Sequence, residues 1–380
     1  MSHAPTETLS RRHRVVREAF RAQSLDALVI TALPNILYLT NFGGSAAIVV
    51  LTADRLHFIT DFRYVTVMAA TRDRPESCPE LVTMIVEGSY DATLVALLQS
   101  MPSAKVGFEA AHLTVARHEW LRSTIGSGGG APTLVATEGI VERARVVKDA
   151  YELKTLRTAA EMLSSIVPGV FEDARPGRTE REVALAIDWR MRRAGFERNA
   201  FETIVAAGPN GALPHAQPGE RRLTESDLVV LDFGGVYDSY CVDLTRTVSI
   251  GPAGSRAREV YDAVQAAHDR AIQTVAPGRS RFAIDAAARE ELANRGLGEA
   301  FGHGTGHGLG IEVHEAPRIA RWRAGIDTDA DDPVVAGMVF TIEPGAYLPD
   351  WGGVRIEDDV VVTETSVETL TTATTELVEL

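Results

Sequence analysis

Asp232 and Asp243 lie eleven residues apart in LVVLDFGGVYDSYCVDLTRTVSI, two β-rich runs joined by a turn-like centre. A turn centred on Tyr237 and Asp238 sets the two aspartates opposite each other, with Cβ atoms about 5 Å apart. Bare carboxylates so placed repel unless a cation or a proton lies between them. A pair of exposed, turn-flanking aspartates is the competing reading, and this hairpin alone leaves both open. Glu343 and Glu357 repeat the arrangement in VFTIEPGAYLPDWGGVRIEDDVVV, each late in an apolar run, with a Gly/Pro/Asp loop between. A second carboxylate pair weakens the solvated-strand reading of both. Oxygen-rich sites with an imidazole suit manganese, iron, cobalt or zinc.

The imidazoles crowd into FGHGTGHGLGIEVHE, residues 301–315, which holds His303, His307 and His314 among five glycines. His303 and His307 have helical zinc-pair spacing, but each interior glycine costs a helix about 1 kcal/mol against alanine. The segment is therefore expected as strand or loop. His314 is followed by EAPR, which is not a helical H-E-x-x-H site, and the glycines form neither G-x-G-x-x-G nor a P-loop. Gly306 and Gly308 bracket His307 and permit close approach by a neighbouring strand or a substrate backbone. His307 and four carboxylates make five hard ligands, a number that suits two metal ions better than one.

The frame that must position these groups has 380 residues, enough for two domains. Apolar content of 45% and charged content of 24% are those of a globular protein. A net charge of −14 argues against a nucleic-acid partner. No apolar run approaches the roughly 20 residues of a membrane helix, and the first twenty residues lack a signal-peptide core. With only Cys78 and Cys241, no disulfide framework is expected, so a cytoplasmic protein without membrane partners is the expectation. Lys105, Lys148 and Lys154 are the only lysines, none in a motif-like setting, which argues against Schiff-base chemistry.

LDALVIT, AAIVVL and LHFITD read as strands and YDATLVALLQSM as a helix, which makes the first part an α/β domain. GSGGGAPT at 126–133 reads as a loop, and residues 136–150 as the passage to a second domain. AYELKTLRTAAEMLSSIV and TEREVALAIDWRMRRAG read as helices, the second with a capping box from Thr179 to Glu182 and a stop at Gly195. A helix pair follows at about 255–296. The second domain is expected to be α+β. DTDADD at 327–332 lacks the glycine and glutamate of a calcium loop and reads as a solvated loop, one able to bring Trp322 and Arg323 over a site.

The motifs LDFGGVYDSYCVDLTRT, GTGHGLGIEVHEAPR, TIEPGAY and GGVRIEDD, with GPNGALPHAQP upstream, resemble the pita-bread metallopeptidases: prolidase, aminopeptidase P and methionine aminopeptidase. NILYLTNFGGSAAIVVLTADRLHFITDFRY resembles the added N-terminal domain of prolidases and creatinases. The resemblance implies a creatinase-like α/β domain over 1–140 and an α+β pita-bread catalytic domain over 141–380. It implies two divalent ions, manganese foremost with cobalt, zinc or iron as alternatives, on Asp232, Asp243, His307, Glu343 and Glu357. Asp243 and Glu357 would bridge, and a metal-bridging hydroxide would cleave Xaa-Pro dipeptides. Glu343 would shuttle the proton, and His215 and His314 would hydrogen-bond substrate or intermediate. Arg318, helped by His303, would take the dipeptide's free carboxylate. Arg355 would bind substrate or support a ligand carboxylate, an exposed strand arginine being an equal reading of that residue. Cys241 shares the strand parity of Asp243 but reads as a small buried hydrophobe.

The substrates so implied are short proline-containing peptides, and the resemblance implies a homodimer. Aminopeptidase P, acting on longer peptides with proline second, is the alternative with the same fold and metals. A creatinase-like amidinohydrolase would lack the full ligand set. A peptide-binding module on a decayed peptidase fold would be expected to have lost ligands first.

Overall fold

The structure, a computed structural model, describes residues 3–71, 74–126, 128–324 and 332–380. The chain forms two compact units, Met1–Arg145 and Val146–Leu380. The division falls one short helix beyond residue 140, because the passage expected over 136–150 contains a helix that closes the first unit.

The first unit runs α1 (Thr6–Ala22), β1 (Ala27–Ile30), α2 (Leu33–Thr40), β2 (Ile48–Thr52), β3 (Leu56–Thr60), α3 (Val65–Thr71), β4 (Leu81–Ile85), α4 (Tyr90–Gln99), β5 (Lys105–Glu109), α5 (Val115–Ile125), β6 (Thr133–Thr137) and α6 (Ile140–Val146). Its sheet has the order β4-β3-β2-β1-β5-β6, antiparallel only at β1–β2 and β2–β3. Helices alternate with these strands, so the α/β expectation holds. The strands are short β-branched runs, and Val29, Ile48, Val50 and Ile59 pack with Leu94 and Leu98 of α4 in one core.

The second unit opens with α7 (Ala150–Asp173) and α8 (Glu180–Ala194), each started by a capping box. The box at Thr179 and Glu182 was expected; the one at Asp149 and Glu152 is an addition. The left-handed Gly195 ends α8 as anticipated. Next come β7 (Arg198–Asn199), β8 (Ile204–Ala207), β9 (Leu228–Tyr237), β10 (Tyr240–Ser249) and the helix pair α9 (Ser255–Thr274) and α10 (Arg281–Asn294). The remainder is β11 (Gly306–Gly308), β12 (Glu315–Ile319), β13 (Val339–Ile342), β14 (Gly345–Leu348), β15 (Gly352–Arg355), β16 (Asp358–Val362), β17 (Val367–Thr369) and β18 (Val378–Glu379).

Two sheets carry this α+β unit. One has the order β18-β10-β9-β7, with β8 also on β9; the other is β12-β11-β13-β16-β17. The Gly/Pro/Asp loop expected between Glu343 and Glu357 is a small hairpin, β14–β15. Most of the 327–332 loop expectation lies outside the described residues. Asp332 is described and pairs with Arg281, while Trp322 and Arg323 are exposed. No bond is described that ties the two cysteines together; both are free. Among the described residues, no helix is long and apolar enough to cross a membrane.

The glycines around His307 serve the neighbouring strands rather than a substrate. A Cβ on Gly306 would lie 1.8 Å from the Thr341 carbonyl oxygen, and one on Gly308 2.1 Å from that of Ala316. Both obstacles are backbone, so neither can swing away. Gly306→Ala is expected to destabilise the second unit by about 1–3 kcal/mol, the range for overpacking, in denaturant unfolding. Gly302→Ala, which would meet nothing within 4 Å, should leave the unfolding midpoint unchanged.

Candidate active site

The first aspartate pair is diagonal rather than opposed. The β9–β10 turn is Asp238–Ser239, both with positive φ as a two-residue type I′ hairpin requires. That centre lies one residue beyond the one expected. Asp232 therefore pairs with Thr245, and Asp243 with Gly234. The two carboxylates remain on one face, two positions apart.

The second pair keeps its symmetry. In the β13–β16 register Ile342 pairs with Asp358, and one step further brings Glu343 level with Glu357. Glu357 also bridges to β10. Its N–H donates to the Thr245 carbonyl at 3.1 Å, and the Thr245 hydroxyl donates to Glu357 Oε2 at 2.6 Å. The site lies on this seam between the sheets.

His307 enters from β11. Its Nδ1 lies 3.1 Å from the Gly308 carbonyl, so Nδ1 carries the proton and Nε2 keeps its lone pair. Nε2 is 3.5 Å from Glu343 Oε1. Asp243, His307 and Glu357 each present a ligand atom, all within 4.8 Å of one another. Glu343 joins them through His307. Asp232 is close enough to raise the proton affinity of Asp243, Glu343 and Glu357.

Burial pushes the carboxyls of Asp243, Glu343 and Glu357 above their ordinary range, and repulsion by neighbouring carboxylates adds to it. Burial also lowers the proton affinity of His307 and so keeps a neutral ligand. Asp232 Oδ1 and Asp243 Oδ1 are buried with no hydrogen-bond partner among the described residues. Crowded carboxylates, orphan oxygens and a neutral imidazole with a free nitrogen fit divalent cations.

Arg355 is buried, which rules out the exposed-strand reading and agrees with its reading as support for a ligand carboxylate. It is 3% exposed and donates to Asp232 Oδ2 at 2.5 Å, to the Thr245 hydroxyl at 3.2 Å and to the Tyr347 hydroxyl at 2.8 Å. It also reaches the Pro214 carbonyl at 3.3 Å and so anchors the segment that carries His215. Strand periodicity places Arg355 on a face but does not reveal that Asp232, 123 positions away, neutralises it.

His303 has both ring nitrogens engaged. Nδ1 lies 2.8 Å from the Gly304 carbonyl and must donate; Nε2, 2.8 Å from the Tyr347 hydroxyl, must accept. No ring nitrogen is left for a substrate carboxylate, so its expected help to Arg318 is not provided for here. Tyr347 was not singled out from the sequence, although TIEPGAY contains it.

His215, His314 and Arg318 are exposed. The ring centroids of His314 and His307 are 4.3 Å apart. Partial burial lowers the proton affinity of His314, and proximity to His307, His215 and Arg318 lowers it further. Arg318 pairs with His307 in the β11–β12 register. Cys241 is buried, its thiol pushed up to about 12 by burial first, which agrees with a packing role.

Two further carboxylates, not anticipated, hold the surrounding loops. Glu180 accepts from the N–H groups of Ala207 and Gly219 at 2.8 and 3.0 Å, at either end of the segment containing His215. Asp285 accepts from the Thr305 N–H and hydroxyl at 3.1 and 2.8 Å, between His303 and His307.

A donor set of this kind suits a divalent-metal centre, and the family match assigns the class, a metallopeptidase. Residues 154–364 match metallopeptidase family M24, and residues 12–147 match the Creatinase/Prolidase N-terminal domain; the chain belongs to family M24. It is 35% identical to an uncharacterized peptidase of Bacillus subtilis over 363 residues, 96% of this chain and 98% of that one. A Xaa-Pro dipeptidase from Bacillus anthracis superposes with a TM-score of 0.89 at 33% identity, covering 98% of this chain and 100% of the other. An X-Pro aminopeptidase from Thermotoga maritima gives 0.83 at 32%, covering 96% and 100%. The protein is a metallopeptidase of the two-domain pita-bread architecture, and its family works with divalent metal ions.

The raised carboxyls set a pH dependence for metal-free protein. They hold protons in the folded state that the unfolded state releases near an ordinary carboxylate pKa of about 4. Their contribution to stability is present below that value and is lost as pH rises through the folded values. Thermal unfolding of chelator-treated protein should therefore show a smaller fall in Tm with rising pH for Asp243→Asn than for wild type. Parallel curves would mean that the carboxylate crowding carries no free energy.

Proposed function

We infer that the chain is a Xaa-Pro dipeptidase that uses two divalent ions held by Asp232, Asp243, His307, Glu343 and Glu357. The observation that carries the dipeptide preference is Arg318. It is a cation at the mouth, in register with His307, where the free carboxylate of a two-residue substrate would end. Bound divalent ions supply acidified water and neutralise charge developing on a carbonyl oxygen.

The protein's own groups do the rest. Water adds to the carbonyl carbon, the bond to the prolyl nitrogen breaks, and that nitrogen takes a proton. Glu343, whose Oε1 lies 3.5 Å from His307 Nε2, is the carboxylate that would carry it. His314 and His215, exposed at the opening, offer donors to the substrate or the tetrahedral oxygen. Arg355 holds Asp232, and Tyr347 holds His303, so that wall stays fixed during turnover.

Release of the N-terminal residue from longer peptides is the second reading. The likeness to the Thermotoga maritima aminopeptidase supports it, being nearly as high as that to the dipeptidase. Metal-stripped protein reloaded with Mn2+ should cleave Ala-Pro, and neither Ala-Pro-Ala nor Ala-Ala, in product chromatography. Preference for Ala-Pro-Ala would move the assignment to the aminopeptidase. Arg318→Ala should raise KM for Ala-Pro about 10- to 100-fold, the worth of a charge-assisted hydrogen bond, with kcat little changed. An unchanged KM would remove the carboxylate role.

A further inference from the structure

Lys148, one of the chain's three lysines, has a side chain with no solvent exposure. Its Nζ lies 3.2 Å from Glu315 Oε2, and that carboxylate is itself 7% exposed. Glu315 follows His314 directly. Its other oxygen, Oε1, accepts from the Glu312 N–H at 2.9 Å. One carboxylate thus closes the turn that carries His314 with one oxygen and meets a buried cation with the other.

The local backbone is shaped to admit this carboxylate. The β11–β12 register shifts after His307, so Gly308 pairs with Glu315 and residues 309–314 form an excursion. A Cβ on Gly310 would stand 2.9 Å from Glu315 Oε2 and 3.0 Å from Oε1. The excursion is therefore packed against the carboxylate.

Lys148 is anchored on the opposite side. Its N–H donates to the Gly337 carbonyl at 2.8 Å, and Val147 bridges to Met338. Gly337 and Met338 lead into β13, the strand that ends beside Glu343. The lysine therefore spans the strand that positions Glu343 and the excursion that positions His314. A buried ion pair gives little net stability, because desolvation offsets attraction. Its effect here is placement.

We propose that Lys148 and Glu315 form a positioning pair that sets His314, and with it substrate binding, relative to Glu343. The kinetic consequence rests on the peptidase reading above. The test uses full-length, metal-loaded protein and compares Lys148→Met, Lys148→Arg and Glu315→Gln with wild type. Each is followed by metal content, thermal unfolding, steady-state kinetics on Ala-Pro and hydrogen–deuterium exchange of the 309–316 segment.

Lys148→Met should raise KM for Ala-Pro about 10- to 100-fold, as expected of a misplaced binding group, with metal content and kcat per folded molecule little changed. Lys148→Arg, which keeps the cation, should return KM toward wild type. Exchange in 309–316 should accelerate in Lys148→Met. A folded, metal-loaded Lys148→Met enzyme with wild-type KM overturns the proposal, as does an activity loss fully accounted for by a smaller amount of folded protein. If Lys148→Met does not fold, Glu315→Gln decides: a raised KM supports the pair and a wild-type KM overturns it. If wild type cleaves no prolyl peptide, the peptidase specificity fails separately. The positioning pair is then judged by exchange, and an unchanged 309–316 segment overturns it.

Discussion

Electrostatic crowding governs the second unit. Asp232, Asp243, Glu343 and Glu357 converge from four strand segments, and their repulsion grows as water is excluded. Among the described residues, only Asp232 of these four has a Lys or Arg partner at contact distance, Arg355. A site in this condition is held in place by its supports rather than by its own attraction. Arg246, almost fully buried, donates to the Glu357 carbonyl at 2.6 Å and to Asp358 at 2.8 Å. Asp359 accepts from the Asp243 N–H at 3.0 Å. These bonds fix the backbones beneath two of the crowded carboxylates.

The histidines divide by the same logic. His307 spends Nδ1 on a carbonyl and keeps Nε2 for the carboxylate cluster, whereas His303 spends both nitrogens inside the protein. His215 and His314 remain exposed. Three imidazoles within twelve residues thus have three different fates, set by backbone geometry rather than by residue type. Asp285 and Glu180 enforce that geometry from outside the cluster.

Much of this was legible in the sequence because it is local. Hairpins reveal which carboxylates share a face, glycine density excludes a helix around His307, and T-E-R-E announces the start of α8. Family motifs brought Asp232, Asp243, His307, Glu343 and Glu357 together before any coordinates did. The turn at Asp238–Ser239 was misplaced by one residue because Tyr237, Asp238 and Ser239 all tolerate a turn in YDSY. The partners of Lys148 and Arg355 were not legible for a different reason. Glu315 lies 167 positions from Lys148, and no periodicity records a contact closed only by tertiary packing. An isolated cation in a sequence looks like surface; only the fold shows it facing an anion.

An isolated backbone bridge joins Thr245 of β10 to Glu357, which directly precedes β16 of the neighbouring sheet. The reactive centre is therefore also a seam. Ions that join donors from both sheets would stitch that seam, so cohesion of the unit and occupancy of its centre become one equilibrium. A chelator would then act on this protein as a mild denaturant as well as an inhibitor, and scarcity of metal would be felt first as susceptibility to proteolysis.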